Sequence, residues 1–177
     1  MTQMPPPSAE PHQAGPGAAR PGELLDRFLA RLIDGLVLGV VYIVLSAIFR
    51  PVFISGVDST GELFAFYAVV SILWTAVAIG YFAFLESSRG QTVGKMVMKL
   101  RTQGPDGANP TLAQGVRRNI FYAFELLAIV PIVGFWLGPL ATFVAVSLIA
   151  YGIYSDHVSR QGWHDEFAGG TRVVKLA

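Results

Sequence analysis

The sequence predicts an all-α membrane protein: four transmembrane helices, arranged as a parallel duplication of two hairpins, with a disordered N-terminal tail and short cytoplasmic strands. Three observations carry that prediction: the composition, the uncharged stretches long enough to cross a bilayer, and the uneven placement of lysine and arginine. Of 177 residues, 53% are hydrophobic and 14% charged, with a mean hydropathy of +0.50. Soluble domains carry about 25% charged residues, so this chain lacks the polar surface to cover a core of its size in water. The absence of cysteine excludes a disulfide-stapled domain and a thiolate metal site. Thirteen basic against twelve acidic side chains leave a formal charge of +1, which gives no electrostatic case for nucleic acid.

Residues 1–22, rich in Pro, Gly and Ala, hold no apolar run and read as a disordered tail with His12 solvated. They lack the basic start and apolar stretch of a signal peptide. The first helix is placed at about residues 25–49, with Arg31 and Asp34 near the start of its apolar stretch. The second, about 63–85, has 23 residues without a charge between Glu62 and Glu86. Leu126 to Ser155 is uncharged over 30 residues, about 45 Å as one helix against a hydrocarbon core of about 30 Å. Pro131, Gly134, Gly138 and Pro139 interrupt it. That region is either one kinked helix or a hairpin of helices at about 113–130 and 135–154.

The basic residues decide between these, because cytoplasmic segments collect positive charge. Arg20, Arg27 and Arg31 lie at the start, Arg50 alone in the 50–62 loop, six in 86–118 and three after residue 155. The loop with one is the outer loop, both termini are cytoplasmic, and the number of crossings is even. Four crossings of a cell membrane follow. On the inner face, Met96–Thr102 and Gly170–Leu176 read as two strands of a short ribbon.

Few residues could carry chemistry. Arg27 and Asp34 share a helical face seven residues apart, and Asp34 lies where an unpaired carboxylate is costly. Arg118 and Glu125 repeat that spacing before the third apolar run, which is the basis for the duplication. Asp34 is either a functional acid or a packing acid paired with Arg27 or Arg31. Gly35 and Gly39 form a GxxxG that favours close helix packing, while Gly134 and Gly138 read as turn glycines. GQTVGK at 90–95 is not a phosphate loop, having three residues between its glycines and Met96 after the lysine. His164, Asp165 and Glu166, with Asp156 and His157 nearby, lack diagnostic metal-ligand spacing. No metal and no cofactor are expected. Without a nucleophile and base pair, the chain does not read as an enzyme.

Together these pieces resemble the RDD family of small bacterial membrane proteins. The matching residues are Arg27-x-x-Ala30-x-x-Ile33-Asp34, Gln91-Thr92-x-Gly94-Lys95, Arg118, and Gly162-x-His164-Asp165-x-x-Ala168-Gly169 with Thr171. The one arginine and two aspartates of the family name map to Arg27, Asp34 and Asp165, and the likeness covers residues 23–177. One departure is that both Gly169 and Gly170 precede Thr171, where the family ends in Ala-Gly-Thr. The resemblance implies transport of small cations or protons. In that reading Asp34 and Glu125 bind the ion, Arg27 and Arg118 set their affinity, and Asp165 secures the inner end. A non-transporting scaffold that docks a cytoplasmic or membrane partner is the alternative. Besides the lipid bilayer, the expected partner is another membrane protein or a second copy, joined through the Gly35/Gly39 face.

Overall fold

The computed structural model describes residues 20–54, 60–130 and 133–177. The tail expected to be disordered falls outside these residues as far as position 19. Its last part does not fit that expectation: Arg20–Pro21 forms strand β1.

Helices α1 (Leu24–Phe53) and α2 (Thr60–Arg89) are each 30 residues, several longer than the uncharged runs. The extra turns are polar at their ends, and Gly90, at φ +71°, stops α2. The stretch read as a strand from Met96 starts differently. Thr92 caps a short helix α3 (Val93–Val97) with its hydroxyl, and strand β2 begins at Leu100 and ends at Gln103.

The third predicted helix is also split. A capping box of Thr111 and Gln114 starts α4 (Leu112–Arg118), and the chain continues as a 3₁₀ segment, Ile120–Ile129. Helix α5 (Gly134–Ser155), the short α6 (Trp163–Phe167) and strand β3 (Arg172–Lys175) complete the chain. Among the described residues, three helices are long and apolar enough to cross a membrane, and Ile120–Ile129 is a shorter apolar segment. At about 2.0 Å per residue those ten residues extend about 20 Å. Outward-facing residues on α1 such as Leu36, Val40 and Ile43 are apolar and exposed, as lipid-facing positions should be.

The ribbon has a third strand. The sheet order is β1-β3-β2, with both pairs antiparallel, Arg20 opposite Lys175 and Gln103 opposite Arg172. Arg20–Pro21, the middle segment and Arg172–Lys175 therefore meet at one end of the bundle. Between β1 and β2 the chain runs out and back through α1 and α2. Between β2 and β3 it passes through the 3₁₀ segment and α5, which pack on each other; the 3₁₀ segment also packs on α2. Ala30, Leu100 and Val173 close the sheet onto α1, and Leu38, Ala78 and Phe82 form the α1/α2 core.

Candidate functional site

Ala30 and Asp34 are one turn apart on α1 and face α3. Gly94 comes so close to α1 that a Cβ there would sit 1.9 Å from the Ala30 carbonyl oxygen. This approach lets the Gly94 N–H donate to Asp34 Oδ1 at 2.7 Å. The Tyr81 hydroxyl donates to the same oxygen at 2.8 Å, and the Thr92 hydroxyl to Oδ2 at 2.6 Å. Asp34 is 1% exposed, so three neutral donors satisfy a carboxylate held away from water. Its expected pairing with Arg27 or Arg31 does not occur: Arg27 turns to the chain end instead.

There Asp165 is the centre. Arg118 Nη2 lies 3.0 Å from its Oδ1 and Arg27 Nη1 3.4 Å from its Oδ2. The Thr171 hydroxyl donates to Oδ1 at 3.0 Å and the Gly162 N–H to Oδ2 at 3.3 Å. Gly169 and Gly170 both take positive φ, +87° and +85°, a conformation that glycine adopts without strain. The turn they form brings the N–H groups of Gly170 and Thr171 onto the Asp165 carbonyl. The additional glycine is thus absorbed in the turn, and Thr171 still reaches Asp165. Arg27 also binds the Gly22 and Val173 carbonyls, tying α1 to the sheet.

Arg118 bridges to a second acid. Its Nη1 lies 3.6 Å from Glu86 Oε2, and Glu86 Oε1 pairs with Lys95. Lys95 Nζ also donates to the Thr102 hydroxyl at 2.7 Å. Arg118 therefore links Glu86 on α2 with Asp165 on α6, and does not pair with Glu125 as the seven-residue spacing suggested. Burial would raise the Asp165 carboxyl, but Arg118, Arg27 and the Gly162 N–H hold it below the ordinary carboxylate range. Burial pulls the Lys95 ammonium down to about 8, with Glu86 opposing it. Burial and the nearby arginines lower the His164 imidazole to about 3, so it is neutral at physiological pH.

Glu125 lies elsewhere. It lines a groove of about 720 Å³ walled by Tyr42, Tyr67, Trp74, Tyr122 and Trp136. Among the described residues, its side chain is bonded to the Thr142 hydroxyl alone, 2.8 Å from Oε1. Gly35 and Gly39 line the same groove, and nothing lies within 4 Å of a Cβ placed on either. Among the described residues of this chain they make no close helix contact. The close-packed pair is Gly134 and Gly138, where a Cβ would come within 1.9 Å of the Leu127 carbonyl oxygen and 3.0 Å of that of Phe124. Packing on the 3₁₀ segment, rather than turn flexibility, accounts for them. Asp156 organises the loop after α5, accepting backbone N–H bonds from Val158, Ser159 and Gln161.

The structure thus joins Arg27, Ala30, Asp34, Gly94, Lys95, Arg118, Asp165 and Thr171 at one end and leaves Glu125 apart. Asp34 and Glu125 have different surroundings, so the proposed repeat does not extend to their environments. Sequence reasoning missed Glu86, which served only to bound a span; it is fully buried. It also missed Tyr81, Thr102 and Asn119, whose types carry no signal of burial. Lys95, nine residues on, was the one clue to Glu86.

The RDD family model matches residues 21–169, taking in both halves of this network. The chain belongs to the RDD family. "Uncharacterized protein YxaI" from Bacillus subtilis (strain 168) is 27% identical over 167 residues, covering 88% of this chain and 97% of that protein. No solved structure matches. In this RDD protein the arginine and both aspartates mapped to the family name are in the described network, but Asp34 and Asp165 occupy separate clusters on different elements.

Proposed function

We propose that this RDD protein moves small cations or protons across a cell membrane, and that Glu125 is the acid that binds them. One observation carries the reading: an acid on an apolar segment, with no basic side chain paired to it among the described residues, lines a large groove. A carboxylate so placed is costly unless it takes up a proton or cation. The aromatic walls add the attraction of ring faces for a cation. Asp34 and Asp165, by contrast, already have donors or arginines on both oxygens, which suits holding the fold together.

The same engagement of Asp34, Glu86 and Asp165 favours the second reading, a non-transporting scaffold. In both readings the chain crosses four times, the 3₁₀ segment with its flanks making the third pass, and the basic sheet end lies in the cytoplasm. Gly35 and Gly39, open on the groove, are where a second copy would close it. The two readings separate in proteoliposomes with an internal pH dye and a panel of cation gradients. Transport through Glu125 gives wild-type flux that falls at least tenfold in Glu125→Gln, which keeps an acceptor for Thr142. Equal flux in both, or none in either, rules it out.

A further inference from the structure

Helices α1 and α5 barely touch, and a second cavity of about 220 Å³ opens between them at the sheet end. Arg27, Arg31, Lys95 and Arg118 line it on one side, Val146 and Ile149 of α5 on the other. The cations here are incompletely matched. Among the described residues, Glu86 and Asp165 are the carboxylates that pair with Arg27, Lys95 and Arg118, while Asp34 is held by neutral donors. Arg31 has no carboxylate within 4 Å among the described residues; it lies 4.0 Å over the Phe82 ring and makes long bonds of 3.4 and 3.5 Å to Asn119 Oδ1. Arg118 is 2% exposed, yet among the described residues its Nε has no hydrogen-bond acceptor and its Nη1 has only the Glu86 carboxylate, beyond hydrogen-bond distance at 3.6 Å. Buried guanidinium donors without acceptors are costly, and an oxyanion entering from the cavity would supply them.

We propose that the α1/α5 cavity binds the phosphate of an anionic phospholipid, with Arg31 and Arg118 as its main donors and the acyl chains lying outside against Val146 and Ile149. Guanidinium groups suit phosphate oxygens because they present paired donors. At 220 Å³ the cavity falls below the about 300–1,000 Å³ that encloses a whole drug-sized ligand, so it accepts a headgroup with its tail left in the membrane. Basic pockets between helices at the cytoplasmic side are where such headgroups collect. Tyr122 lines both this cavity and the Glu125 groove, and Thr142, the partner of Glu125, lines this cavity; the proposal assigns Glu125 no part in it and stands whether or not the protein transports.

The test uses the full chain in detergent. Its thermal midpoint is followed while short-chain phosphatidylglycerol, short-chain phosphatidylcholine or sodium phosphate is added. Native mass spectrometry of the wild type with equal amounts of the two lipids is run in parallel. Expected are stabilisation by phosphatidylglycerol and not by phosphatidylcholine, preferential retention of phosphatidylglycerol in the mass spectra, and an apparent affinity at least tenfold weaker in Arg31→Gln. Arg31→Gln gives up the Phe82 ring contact and the bonds to Asn119, so its affinity is read from the lipid-induced shift relative to its own lipid-free midpoint. Stabilisation by phosphate equal to that by phosphatidylglycerol overturns the lipid assignment and leaves a free oxyanion site. Equal retention of both lipids, or undiminished binding in Arg31→Gln, overturns the proposal; if that variant does not fold, the wild-type mass spectra alone decide.

Discussion

His164 shows what a single buried group does to this fold. Its imidazole is 3% exposed and faces Arg118 and Arg27 across Asp165. It stays neutral until the pH falls to about 3, whereas in the unfolded chain it takes a proton near 6.5. The unfolded state therefore binds more protons between these values, and stability falls as the pH drops through that window. One such group changes stability by up to about 1.4 kcal/mol per pH unit. Below the usual aspartate range the protonation of Asp165 adds to the loss, because its folded-state carboxyl is held low. Unfolding midpoints of the solubilised protein from pH 7 to 4 should fall steeply in wild type and markedly less in His164→Gln. Parallel curves would mean that His164 is not the group responsible. Asp34 was legible in the sequence as an acid too deep to be unpaired. Its actual partners were not, since a tyrosine, a threonine and a backbone N–H have no charge pattern to read.

At the scale of elements, three backbone approaches set the packing: α3 on α1 at Gly94, α5 on the 3₁₀ segment at Gly134, and α4 on α2 at Gly115, where a Cβ would meet the Ala83 Cα at 2.8 Å. Gly94→Ala and Gly134→Ala each drive a methyl into a carbonyl oxygen, so each should cost about 3 kcal/mol or more, at or above the top of the usual overpacking range. Gly35→Ala has open space and should stay within about 0.5 kcal/mol of wild type. Chemical unfolding of the three variants in one detergent checks the ranking, and comparable losses in all three would refute it. The sequence located the long helices because a 23-residue uncharged run has few other uses. It read Gly134 and Gly138 as turn glycines rather than packing glycines, since the spacing is the same as at Gly35 and Gly39 and only the neighbouring backbone distinguishes them. Nor did it show the break at Asn119, whose side-chain amide donates to the Gly115 carbonyl where helix gives way to 3₁₀. Strand β1 escaped notice because two residues carry no periodicity.

Across the whole molecule, the charges that were too few for a soluble protein are concentrated at one end. Arg27 from the chain start, Glu86 and Lys95 from the middle and Asp165 from the end share one network, with Arg118 as its bridge. The uneven spread of arginine and lysine foretold this gathering, and the three-stranded sheet gives it a physical form. The network leaves Glu125 as the acid in an apolar region with a groove beside it, and the proposed ion binding rests on that contrast. The infrared difference spectrum of the protein in a lipid film, recorded as the perfusing cation or the pH is changed, tests it most directly. The expected result is a carboxylate or carboxylic-acid band that responds in wild type and is absent in Glu125→Gln. The same band persisting in Glu125→Gln would contradict the assignment and return the search to the acids of the network.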